Sequence, residues 1–220
     1  MIVVKKLLKT YGHGHNAIQA LKGVDLEVSE GEFVAIMGRS GSGKSTLLRI
    51  LGLLDQPTGG EIYIDGVNAL KLHEMDRARF RLDKLGYVFQ EHSLIPELTV
   101  LENVYLPAVV DLGNNGYKKR AEEILEIVGL KDRITHFPSE ISGGEQQRVA
   151  IARSLINQPK TLFADEPTAS LDEDSSRVVL DLFCKLNREL NQTIVMVTHE
   201  PDDRKYIDRV IWMKDGHLDI

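Results

Sequence analysis

Phe33-Val34-Ala35-Ile36-Met37-Gly38-Arg39-Ser40-Gly41-Ser42-Gly43-Lys44-Ser45 is a five-residue apolar strand that runs straight into a glycine cluster, and Leu47 to Leu53 follows as an apolar helix. Gly38 to Ser45 fits the pattern Gly, four residues, Gly, Lys, Ser, and it lies between strand and helix as that pattern requires. A glycine-rich turn that matched by chance would lack this placement. The glycines let backbone N–H groups turn inward around phosphate oxygens, and the helix N-terminus at Lys44 adds the positive end of its dipole. The Lys44 ammonium reaches the terminal phosphates, and Ser45 is placed to ligate Mg²⁺.

Working outward, Ile2 to Val4, Val24 to Val28 and Phe33 to Met37 read as strands, and Glu61 to Ile64 before Asp65-Gly66 as a strand entering a tight turn. From Leu70 to Leu130 the sequence is charged with a helical period. Lys118 to Val128, for example, sets Ile124, Leu125, Ile127 and Val128 against Lys118, Lys119, Arg120, Glu122 and Glu123. This predicts a helical insertion. Thr161 to Ala164, Ser175 to Glu189 and Thr193 to Thr198 then read as strand, helix, strand, with a closing hairpin at Arg209 to Met213 and His217 to Ile220. Strands alternating with helices predict a largely parallel sheet.

Thr161-Leu162-Phe163-Ala164-Asp165-Glu166 is an apolar strand ending in two carboxylates, and successive strand side chains face opposite ways. The two acids therefore take separate tasks. Hydrolysis of a γ-phosphate needs one carboxylate that holds the metal and a group that orients the attacking water, which assigns Asp165 and Glu166 respectively. An acidic pair alone is more often a solvated turn, but strand C-termini of open α/β sheets are where ligands bind.

Lys plus Arg number 27 against 33 Asp plus Glu, a net charge of -6, which argues against a broad electrostatic grip on nucleic acid and confines any polyanion site to a local patch. The single Cys184 cannot close an intrachain disulfide, the N-terminal segment does not read as a secretory leader, and no window approaches the roughly 18 to 20 apolar residues of a membrane span. The expected compartment is the cytoplasm, with any membrane attachment supplied by another chain.

Ile141-Ser142-Gly143-Gly144-Glu145-Gln146-Gln147-Arg148, lying before the acidic strand, narrows the reading. With the phosphate loop and acidic pair it resembles the ATP-binding subunits of ABC transporters, and the stretch looks like that family's signature. Gln90 after Gly86-Tyr87-Val88-Phe89 resembles the Q-loop, Ser170-Leu171-Asp172 the D-loop, and His199 after Val195-Met196-Val197-Thr198 the switch histidine. The resemblance covers essentially the whole chain. It implies one ABC ATPase domain over 1–220: a phosphate-loop α/β core with an N-terminal antiparallel β region at 1–90 and 154–220, and an inserted helical subdomain at 91–153. It also implies ATP contacts from Tyr11 against adenine, from the phosphate loop with Lys44, Ser45 and Thr46, and from Gln90. Ser45, Gln90 and Asp165 would hold Mg²⁺, Glu166, His199 and Lys44 would act in hydrolysis, and Asp172 would serve the D-loop. Ser142, Gly143, Gly144 and Glu145 would cap the nucleotide of a second copy.

Independently, Ser142-Gly143-Gly144 before the apolar-periodic Val149, Ala150, Ala152 and Leu155 is a second helix N-terminus with free N–H groups, and one ATP rarely needs two such cradles. The expected assembly is an ATP-dependent dimer on a separate transmembrane permease. Leu94, Ile95, Leu98 and Val100 offer an apolar groove for it, or only seal the helical subdomain. Met37 to Gly43, Gly52 to Gly60 and Leu94 to Val104 look similar to the lipoprotein-release and macrolide-export group. An ATPase switch regulating a cell-division complex would read nearly the same.

Glu145 stands where the family most often has Gln, so it brings a negative charge toward a partner's triphosphate, or its carboxylate turns away and accepts hydrogen bonds from ribose hydroxyls. Cys184 reads as a buried small apolar residue and Trp212 as packing in the closing hairpin, while His13 and His15 lack a third ligand for a metal.

Overall fold

Phe33–Met37 is buried at every position, which suits a strand only where both faces of its sheet are covered. The computed structural model, which describes residues 1–110 and 116–219, puts that strand inside a six-stranded sheet. In chain order the strands are β1 (Ile2–Tyr11), β2 (Ile18–Val28), β3 (Phe33–Met37), β4 (Gly59–Ile64), β5 (Val67–Asn68), β6 (Leu85–Val88), β7 (Thr161–Asp165), β8 (Thr193–Val197), β9 (Arg209–Lys214) and β10 (His217–Asp219). The α-helices are α1 (Lys44–Leu51), α2 (Glu74–Lys84), α3 (Val100–Tyr105), α4 (Tyr117–Ile127), α5 (Gly143–Leu155) and α6 (Glu173–Leu190).

The large sheet has the order β10-β9-β3-β8-β7-β6. Its strands are parallel except β10, which returns antiparallel on β9. β2, β1, β4 and β5 form a separate antiparallel sheet, closed between β4 and β5 by Asp65 and Gly66, both at positive φ as a two-residue hairpin turn demands.

Alternation along the central strands splits the interior in two. Phe163, Val195 and Val197 face Leu47, Leu48, Ile50 and Leu51 of α1 and the inner face of the antiparallel sheet. Leu162, Ala164, Ile194 and Met196 face the other way, toward Val149 and Ala152 of α5 and Val179 and Phe183 of α6. A strand period of two thus supplies both cores from one sheet.

The reading of Leu70 to Leu130 as helical throughout is corrected here. β6 lies inside that stretch and pairs with β7, Val88 opposite Ala164. It follows α2 without a turn residue, and only pairing with a strand some 76 residues later defines it. β1 and β2 also run well beyond the apolar stretches that announced them. Ile220, read as the end of the closing hairpin, lies outside the described residues, as do positions 111–115 of the insertion.

Candidate functional site

The phosphate loop leaves β3, Glu166 follows β7, His199 lies two residues past β8, and Gln90 two residues past β6. These four strands are neighbours in one parallel array, so their C-terminal ends form a single edge. Ile36 and Asp165 both pair with Val197, which sets the loop, Thr198 and Glu166 in adjacent rows. Gly38, Arg39, Ser40, Lys44, Glu166, His199 and Trp212 line a cleft of about 420 Å³.

The loop is held tightly from outside. A Cβ on Gly43, which sits at φ 107, would come 2.6 Å from the Ala20 carbonyl oxygen, so β2 abuts the loop and only glycine fits. Gly41 has open space around it. The Lys44 ammonium is buried and donates to the Gly38 and Arg39 carbonyls at 2.9 and 3.2 Å. The Ser42 hydroxyl is buried with no partner among the described residues. Thr46 lies in the first turn of α1, half-buried.

Ser45 Oγ donates to Asp165 Oδ1 at 2.9 Å, joining the helix start to the acidic strand. Burial pushes the Asp165 carboxyl up and Glu166 beside it adds to this, against the Ser45 hydrogen bond and the charges of Arg49 and Lys44. Two hard oxygen donors, one of them a half-buried carboxylate, suit a magnesium ion. Among the described residues no group of three or more His, Cys, Asp or Glu could hold a metal by itself.

Glu166 adopts φ 45, unusual for a residue with a side chain, and its N–H donates to the Val197 carbonyl at 3.0 Å. Strain of this kind persists where the surroundings over-determine it. The Glu166 carboxylate lies 3.3 Å from His199 Nδ1, and Glu200 lies 3.3 Å from His199 Nε2. The edge therefore offers an amide cradle, an ammonium, a metal-suited oxygen pair and a carboxylate–imidazole pair.

A family model described as ABC transporter matches residues 21–169. The chain belongs to the ABC transporter family. An uncharacterized ABC transporter ATP-binding protein of Methanocaldococcus jannaschii is 50% identical over 219 residues, spanning 99% of this chain and 97% of the relative. The lipoprotein-releasing system ATP-binding protein LolD of Bacteroides fragilis is 47% identical over 219 residues, spanning 99% of this chain and 100% of the relative. Among solved structures, a dimeric post-hydrolysis state of an ATP-binding cassette of Methanocaldococcus jannaschii, bound to ADP and Pi, matches with a TM-score of 0.91 at 45% identity, covering 100% of this chain and 97% of that one. Like its family, the chain is an ATP-binding ATPase, built on the α/β cassette fold.

Within the ABC cassette, the remaining expected residues fall on other surfaces. Ser142 caps α5, and neither it nor Gly143, Gly144 or Glu145 lines the cleft. Asp172 caps α6, accepting from the Ser175 N–H at 2.9 Å and its hydroxyl at 2.7 Å. The two helix starts touch, since Gly144 is close-packed on Ser175. Gln90 is exposed beyond β6, and Tyr11 is exposed at the end of β1.

The structure alters two expectations and refines two more. Glu145 does not turn outward: its carboxylate accepts from the Ser142 N–H at 2.8 Å and pairs with Arg133 Nε at 3.2 Å, completing a capping box that Ser142 Oγ closes on the Glu145 N–H. The Ser142 bond, joined by Arg133, holds this carboxyl below its usual range. Trp212 does pair within the hairpin, but it is 42% exposed at the cleft rim with the Arg204 guanidinium 4.8 Å from its ring. Cys184 is only half-buried and donates to the Tyr206 carbonyl at 3.3 Å. Of the four residues of the expected groove, Val100 is core, Leu94 packs against it, Leu98 is half-buried and Ile95 is exposed.

Sequence reading missed Asp203. It is 5% exposed, accepts from the Thr198 hydroxyl at 2.6 Å, and so ties down the turn that carries His199. In Pro201-Asp202-Asp203 it reads as a solvated turn, and no local signal separates it from Asp202.

Proposed function

We propose that this chain binds MgATP between its own phosphate loop and the signature of a second copy, hydrolyses it at Glu166, and through that cycle of closing and opening drives a separate membrane permease. The observation that supports this best is the separation of two phosphate-binding helix starts. α1 opens on the cleft, whereas α5 opens on a face away from it, so one nucleotide meets both only when two chains face each other. A post-hydrolysis dimer of a cassette 45% identical agrees with that arrangement.

In this reading the amides of Gly38, Arg39, Ser40, Gly41, Ser42 and Gly43 cradle the phosphates, Lys44 leaves its carbonyl partners for the terminal phosphates, and Ser45 and Thr46 complete the helix-start contacts. Ser45, Asp165 and Gln90 hold Mg²⁺, which when bound neutralises charge on the transferred phosphoryl oxygens. Glu166 orients the attacking water and accepts its proton. His199, braced between Glu166 and Glu200, faces the terminal phosphate from the next strand. Tyr11 stacks on adenine. Ser142, Gly143 and Gly144 cap the partner's ATP, with Glu145 stiffening that helix start, and Asp172 holds the neighbouring one.

The segment 91–153 acts as the arm that carries the signature, and Gln90 at its root links it to the metal site. Likeness to the lipoprotein-releasing relatives supports a permease of the lipoprotein-release and macrolide-export type. No helix among the described residues is long and apolar enough to cross a membrane, which supports a peripheral place on the cytoplasmic face, held by that permease.

Glu166→Gln keeps the side-chain shape and removes the carboxylate. Turnover should fall by about 10² to 10⁴-fold while ATP binding persists, and dimers should accumulate on size-exclusion chromatography with ATP. A variant that stays monomeric in ATP, or turns over like the wild type, refutes the assignment.

A further inference from the structure

Tyr11 stands in a built cluster that no motif accounts for. Its hydroxyl donates to Asp55 Oδ2 at 2.8 Å. Asp55 Oδ1 accepts from Lys9 Nζ at 2.7 Å, and the same ammonium donates to the Gln56 carbonyl at 2.6 Å. Lys9 Nζ also lies 4.6 Å from the centroid of the Tyr11 ring. Lys9 is 8% exposed although lysine is rarely buried unless paired. The hydrogen bonds from Lys9, Tyr11 and the Gln56 N–H hold the Asp55 carboxyl below its usual range against the effect of burial. The cluster joins the end of β1 to the loop after α1, 44 to 47 residues away in sequence.

Its position relative to the phosphate loop follows from strand geometry. Ala20 of β2 abuts Gly43 of the loop. Ile18, the cross-strand partner of Tyr11, lies two residues back along β2 from Ala20, about 7 Å at the rise of a strand. A ribose spans that gap between a phosphate in the loop and a base. Tyr11 and Ile18 are both large and apolar, yet 42% and 69% exposed, so they form an open shelf where the base arrives. The Lys9 ammonium sits over the Tyr11 ring and the hydroxyl is tied to Asp55, which leaves the base the side of the ring that Lys9 does not cover.

We propose that Lys9 and Asp55 are positioning residues that hold the Tyr11 ring as a one-sided platform for the nucleobase, which rests on the reading of Tyr11 as the adenine contact. An exposed tyrosine loses rotamer freedom when a ligand stacks on it, and a side chain already fixed through its hydroxyl and one face has less to lose. The clamp therefore acts on the base and ribose part of affinity and leaves phosphate binding untouched.

The test compares MgADP with magnesium pyrophosphate, which offers two phosphates without ribose or base, by calorimetry on the full chain. Tyr11→Ala should weaken MgADP by about tenfold, the scale of base–aromatic stacking, and leave pyrophosphate unchanged. Asp55→Ala and Lys9→Met should each weaken MgADP by about three- to fivefold with pyrophosphate unchanged. Asp55→Asn, which keeps an acceptor for the Tyr11 hydroxyl, should fall between these and the wild type. Wild-type MgADP affinity in both Asp55→Ala and Lys9→Met, or equal losses for the two ligands, overturns the clamp. If Tyr11→Ala itself leaves the ratio of the two affinities unchanged, the adenine reading of Tyr11 fails, a result distinct from a loss in Tyr11→Ala alone.

Discussion

Gly144→Ala tests whether the starts of α5 and α6 are packed to contact. An alanine Cβ there would lie 2.8 Å from both the Cβ and the Oγ of Ser175. Apolar contacts settle at about 3.5 to 4.0 Å, and turning Ser175 would move its Oγ but not its Cβ, so the helix starts must part by roughly 0.7 Å. Parting is costly because the Ser175 hydroxyl and N–H both bond Asp172, the cap of α6, so Ser175 does not shift alone. Overpacking of this kind costs about 1 to 3 kcal/mol, and exchanging glycine for alanine in a helix returns about 0.5 to 1 kcal/mol, for a net loss near 1 kcal/mol. In a chain of this size that is about 2 to 4 °C in Tm, read by circular dichroism on the nucleotide-free chain. Gly143→Ala is the internal control: its Cβ would meet only Leu171 Cδ2 at an ordinary 3.7 Å, so Tm should hold or rise. Since the same contact braces the signature and Asp172, ATP-driven dimerisation should weaken in Gly144→Ala as well. An unchanged Tm in Gly144→Ala, or equal drops in the two variants, refutes the packing argument.

Two further outcomes follow from charges that the fold repositions. Glu145→Gln keeps the third helical position of a capping box and frees Arg133 of its partner, so in the Glu166→Gln chain ATP-driven dimerisation should tighten by up to about 1 kcal/mol per site after screening, more at low salt. An unchanged dimer Kd at low ionic strength would make Glu145 purely a cap. For Asp203, burial pushes the carboxyl up and Glu200 and Asp202 reinforce it, against the Thr198 hydrogen bond and His199. A folded-state pKa above the unfolded value means that proton binding favours the folded chain at acid pH and that this contribution is lost as pH rises through the folded value. Asp203→Asn keeps an acceptor for Thr198 without the charge, and should raise stability by about 1 kcal/mol near pH 8, with the gain shrinking toward about pH 4, the ordinary carboxylate range. Urea midpoints showing the same gain at both values, or none at pH 8, would exclude a titrating Asp203.

Much of the fold was legible because its signals are local. Phe33 to Ser45 couples an apolar run to a glycine pattern within thirteen residues, and Asp65-Gly66 announces its hairpin by residues that tolerate positive φ. Thr161 to Glu166 places two acids at the end of a buried strand. β6 was not legible, since four residues following a helix without a break carry no punctuation, and pairing with β7 alone makes them a strand. Trp212 was placed in its hairpin, but its exposure at the cleft rim depends on β9 lying beside β3.

By itself the sequence determined where the glycine-rich loop lies between strand and helix, which helix starts are open, and that strands and helices alternate, because each is a matter of neighbours along the chain. The tertiary structure alone decided which side chains meet across long separations. Lys9 reaches Asp55, Asp203 turns inward to Thr198, and Glu145 folds back on Ser142 and Arg133 where the sequence suggested an outward charge. The physical reason is common to all three. A charged side chain is placed by the hydrogen bonds available once the chain has folded, and desolvation makes the unpartnered alternatives costly.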